Sequence, residues 1–69
     1  MGRPVSEAVR RAAEQLATSG SVSAQAEART LVAHVGGIDL GRLPIAPDLT
    51  DDQSAALDAA VDRRCSGEP

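Results

Sequence analysis

Sixty-nine residues make one small domain, and a chain of that size buries only about 60% of the surface its unfolded form exposes. Phe, Trp and Tyr are absent, so the core must come from Leu, Val, Ile and Ala, and there is no ring for a nucleic-acid base to stack on. Seven Arg, no Lys and ten acids give a net charge of −3, which argues against the cationic face that nucleic-acid binding requires.

Residues 5–19 begin the pattern. Val5, Ala8, Val9, Ala12, Ala13, Leu16 and Ala17 recur three and four apart and form one helical stripe. Pro4 suits the first turn, where its missing N–H costs nothing. Glu7, Arg10, Arg11 and Glu14 alternate in sign on the solvated side and offer weak ion-pair support. Gly20 is a natural left-handed stop. Ser23 then reads as the N-cap of a second helix whose stripe is Ala24, Ala28, Leu31, Val32 and Val35. Gly36-Gly37 ends it, with one glycine left-handed.

Asp39 can cap a short helical turn at Leu40-Gly41-Arg42-Leu43. Pro44 forbids its normal extension and Pro47 keeps the segment irregular. Ile38, Leu40, Leu43 and Ile45 are apolar enough to tuck this connector under the bundle. The last helix carries the clearest start signal: Thr50-Asp51-Asp52-Gln53 is a capping box. Asp51 and Asp52 complement the positive end of its dipole, and Arg63 and Arg64 the negative end. Ala56, Leu57, Ala60 and Val61 form its buried seam. Asp58 and Asp62 face water, and Gly67 supplies the stop. The fold expected is all-α, a small bundle of three long helices and one or two short ones.

Catalytic chemistry is not visible. His34, the single histidine, falls in the last turn of the second helix, where a protonated imidazole gains modestly from the dipole. It has no partners at zinc-ligand spacing. Cys65, the single cysteine, rules out an intramolecular disulfide and fits a reducing compartment. It reads as a tolerated residue at a fraying helix end, although Arg63 and Arg64 would favour its thiolate. Gly36-Gly37-Ile38-Asp39-Leu40-Gly41 lacks the strand and the Lys-Ser/Thr of a phosphate loop. No apolar run approaches the ~20 residues of a membrane span. No catalytic, cofactor-binding or metal-binding residue is assigned.

Three segments, in this order and spacing, resemble one family. Ala26-Glu27-Ala28-Arg29-Thr30-Leu31-Val32-Ala33-His34-Val35-Gly36 resembles its second-helix signature Asp-Ala-Glu-x-Leu-Leu-x-His-x-x-Gly. Leu49-Thr50-Asp51-Asp52-Gln53 resembles its Leu-Thr-x-x-Gln helix start. Arg63-Arg64-Cys65-Ser66-Gly67-Glu68-Pro69 resembles its Arg-Arg-x-x-Gly-Glu-Pro junction. The family is the HemK-type (PrmC-type) methyltransferases, which modify the glutamine of the Gly-Gly-Gln motif of peptide chain release factors. Gln25 stands where the family usually has Asp, and its Leu pair is loosened to Arg29-Thr30-Leu31-Val32.

The resemblance implies that residues 1–66 are a helical N-terminal substrate-recognition domain. Residues 67–69 would begin a linker to an absent second domain that binds S-adenosylmethionine and carries the catalytic Asn-Pro-Pro-Tyr motif. That tetrapeptide does not occur here, so this chain alone is expected to bind no cofactor and to be no enzyme. The implied partners are the release factor and the catalytic domain of the same protein, with no nucleic acid and no membrane, in the cytoplasm. An acidic protein partner would be steered by exposed cations, and Arg10, Arg11, Arg42, Arg63 and Arg64 are the candidates. Two rival readings are a free-standing helical protein–protein adaptor and a small helix-turn-helix DNA binder, the latter disfavoured by the acidic balance.

Overall fold

The structure is a computed structural model that describes residues 2–66; the expected Gly67 stop and the junction at 67–69 lie outside the described residues. Three α-helices, α1 (Val5–Thr18), α2 (Ala24–Gly36) and α3 (Asp51–Cys65), pack together, with a 3-10 helix, Leu40–Ile45, between α2 and α3. The all-α bundle is therefore as the patterning implied. The one β pairing among the described residues is an isolated antiparallel bridge. Arg3 and Leu49 exchange both backbone hydrogen bonds, at 2.9 and 2.8 Å, and pin the N-terminal segment to the approach to α3.

The core is aliphatic, as a chain without aromatics requires. Val5, Ala8, Val9, Ala12, Ala13 and Leu16 of α1 meet Ala28, Val32 and Ala33 of α2, Leu57 and Val61 of α3, and Leu43 and Leu49 of the connector. The many alanines let α1 and α2 approach closely. Ala17, expected in the stripe, is exposed, while Ala33, outside the expected stripe, is buried. In α3 only Leu57 and Val61, one turn apart, are fully buried; Ala60 is half-buried and Ala56 exposed. Leu49, 1% exposed, is a core residue that helical periodicity could not reveal, because it lies before its helix.

Helix ends follow three designs. Gly20 and Gly37, with φ of +100° and +64°, close α1 and α2. The amide of Ser21 donates to Leu16 O and that of Gly20 to Ala17 O; the amides of Ile38 and Gly37 donate likewise to Ala33 O and His34 O. Both are Schellman closures built on the left-handed glycine. At the start of α3, Gln53 N donates to Thr50 Oγ1 at 3.1 Å and Thr50 N to Gln53 Oε1 at 2.9 Å, completing the capping box. The remaining starts differ from expectation. Pro4 occupies the N-cap of α1 and not its first turn, and Ser23 and Asp39 hold cap positions without a side-chain capping bond.

The connector departs most. Its helical turn continues through Pro44 to Ile45, because a 3-10 turn needs only i→i+3 bonds: Arg42 N donates to Asp39 O and Ala46 N to Leu43 O. Among the residues of the segment whose burial is described only Leu43 is buried, with Ile38 packed against the core just before the segment. Leu40 and Ile45, expected inside, are 47% and 83% exposed. With three residues per turn, Ile45 lies about 240° round the axis from Leu43 and cannot share its direction.

Candidate partner-binding surface

Two faces of α2 organise the surface. Gln25 and Arg29, four apart, lie on one face, and Glu27 and Leu31, also four apart, lie on the other, because two residues along a helix turn the side chain through about 200°. The Glu27 face receives α3. Arg64 donates to Glu27 Oε1, and Ser21 Oγ, from the turn before α2, donates to Glu27 Oε2. Both bonds favour the charged carboxylate. The Ser21 bond and then the Arg64 bond hold Glu27 below its ordinary value of 4.5, against a smaller opposing effect of desolvation. Next to it Cys65 Sγ, half-buried, donates to Gln15 O at 3.6 Å. The helix end is thereby tied to both α1 and α2. At the middle of α3, Arg3 reaches Asp58 at 3.4 Å.

The Gln25–Arg29 face opens differently. A groove of about 520 Å³ runs between α1, α2 and the connector, lined by Val5, Val9, Leu43 and Ala46 with Arg10, Arg29 and Asp48 among its polar residues. Arg10 and Arg29 are exposed and make no ion pair among the described residues. A second hollow of about 330 Å³ shares Ala46 with this groove and is bordered by Arg42, Ile38 and Ile45. The two adjoin at Ala46, and their lining mixes apolar side chains with Arg10, Arg29 and Arg42 and with the acids Asp39 and Asp48.

Of the five candidate cations, Arg10 and Arg42 line these adjoining hollows. Arg64 is engaged by Glu27 with its side chain half exposed. Arg11 and Arg63 are exposed on helix surfaces and border neither hollow. Arg29 was not among the candidates; its spacing of four from Gln25, off the apolar stripe, was the available signal. The four charges of α1, Glu7, Arg10, Arg11 and Glu14, form no ion pair among the described residues. His34 is exposed in the last turn of α2.

Among the described residues no three His, Cys, Asp or Glu side chains come together to hold a metal ion, and no helix is long and apolar enough to cross a membrane. No strand–loop–helix unit is present among them.

A family model described as the PrmC N-terminal domain matches residues 7–69. No curated protein and no solved structure matches the chain at a significant level. The match covers nearly the whole sequence, and the chain belongs to the PrmC N-terminal domain family.

Proposed function

We propose that this domain recognises the protein substrate of a methyltransferase that modifies the glutamine of the Gly-Gly-Gln motif of peptide chain release factors, acting in the cytoplasm. The family match over residues 7–69 carries the reading. S-adenosylmethionine and the reacting groups belong, on this reading, to a linked catalytic domain, and no chemical step is assigned to residues 2–66. The role of the domain is positional. A rigid helical surface that holds the release factor converts an encounter into an oriented one, and orientation is worth several kcal/mol of barrier when reacting groups are pre-placed. The open surface around Arg10, Arg29 and Arg42 supports the reading, because its charges are not consumed inside the domain.

Deleting residues 1–69 from the full protein tests it. Methylation of intact release factor should fall at least tenfold in kcat/KM, while the dissociation constant for S-adenosylmethionine changes less than twofold. Equal loss of both, or no loss of either, rejects a recognition role.

A further inference from the structure

We propose that the groove between α1, α2 and the connector is the seat of that protein substrate, and that it takes a segment presenting an apolar side chain flanked by carboxylates. This rests on the recognition reading above and adds the place and the chemistry.

Three observations carry it. The groove is ligand-sized, about 520 Å³, and its lining includes the apolar Val5, Val9, Leu43 and Ala46; pockets of 300–1,000 Å³ with an apolar floor and a few polar groups are typical binding sites. Its rim carries Arg10 from α1 and Arg29 from α2, neither of which has a carboxylate partner among the described residues. In a chain with net charge −3, two unpaired guanidinium groups over an apolar floor are complementary to carboxylates on an apolar anchor. Arg binds carboxylates with a planar fork and is enriched at interface hot spots. Asp48 on the connector wall disfavours a carboxylate there, which sets the orientation of the segment.

The third observation is position. Arg64 of α3 lies against Ala26, Glu27, Thr30 and Leu31, on the face of α2 opposite Gln25 and Arg29. The last turn of α3 is therefore held away from the groove. The groove is therefore not covered by α3, and its two unpaired guanidinium groups suit an acidic segment of the protein substrate. The adjoining hollow at Arg42 and Ile45 extends the seat beyond one side chain.

The test uses the full-length protein and intact release factor in steady-state methylation. Arg10→Glu with Arg29→Glu should raise KM for the release factor about tenfold, leave kcat at saturating substrate within twofold, and abolish the rise of KM with added salt expected of the wild type. Arg10→Gln with Arg29→Gln, which removes charge without reversing it, should raise KM about threefold and serves if the reversal fails to fold. Ala17→Glu with Ala59→Glu, at exposed positions outside the groove, changes net charge as much as the Gln pair and should leave KM unchanged. An unchanged KM in both Arg pairs, or an equal rise in the alanine control, overturns the groove. If deletion of residues 1–69 lowers kcat/KM while the Arg pairs leave KM unchanged, the recognition role stands and the groove falls. If the deletion leaves kcat/KM unchanged, the recognition role itself falls.

Discussion

On one face of α2, Glu27 accepts hydrogen bonds from Ser21 and Arg64 and closes the bundle against α3. On the other, Gln25 and Arg29 stand one turn apart beside an open groove, and Arg29 has no ion-pair partner among the described residues. Both faces draw on short stretches of the same helix, Gln25–Leu31. The difference lies in what each charge faces. A carboxylate opposite a helix end that must be anchored is used internally, and a guanidinium beside an unfilled apolar groove remains available to another molecule. Motif residues are therefore not all functional residues: Glu27 and Arg64 sit in two of the segments that resemble the family, yet their visible work is to join α2 to α3.

The comparison breaks first if α3 is loosened. Leu57, 1% exposed, is one of only two fully buried residues of α3. Leu57→Ala should cost about 2–5 kcal/mol. A single core of this size rarely supplies more than about 3–5 kcal/mol, so the variant should be largely unfolded at 25 °C, measured by urea titration of the far-ultraviolet circular dichroism signal. A cooperative transition of undiminished midpoint would mean that α3 is held by its polar ties and not by its core side chains.

A smaller effect is expected at the start of the same helix. Thr50→Ala removes the acceptor for Gln53 N and leaves the reciprocal bond unsupported, a loss of about 1 kcal/mol. The denaturation midpoint should drop with no change in slope. The smallest effect belongs to Glu27. Its carboxyl pKa is lowered on folding, so its contribution is fully present above its ordinary value of 4.5 and is lost as pH falls through the folded value. Glu27→Gln should therefore melt below the wild type at pH 7 and converge with it in acid, once the pH has fallen through the lowered folded value. A constant difference at all pH values would show that the carboxylate charge plays no part in joining the two helices.

Much of this was legible in the sequence. The stripe of α1, the glycine stops, the capping box and the all-α class rest on interactions within about five residues, which a linear pattern records directly. The connector was misread at Leu40 and Ile45 because an apolar residue is an argument for burial only when its direction is known, and a 3-10 turn through Pro44 sets a direction that α-helical spacing does not. The candidate surface was read in part. Arg10 and Arg42 were named for exposure and charge, but Arg29 became interesting only when α1 and α2 closed on each other beside it.

The sequence by itself determined where the helices lie, how the first two stop, that their core is small and aliphatic, and which family the chain resembles, since each follows from local spacing and residue type. Only the tertiary structure decided the fate of the charges. Glu27 and Arg64 are 37 residues apart and bonded, whereas Arg10 and Arg29 are 19 apart in number and share one groove without pairing. No periodicity encodes that division, because it depends on which faces remain uncovered once the apolar stripes have been buried.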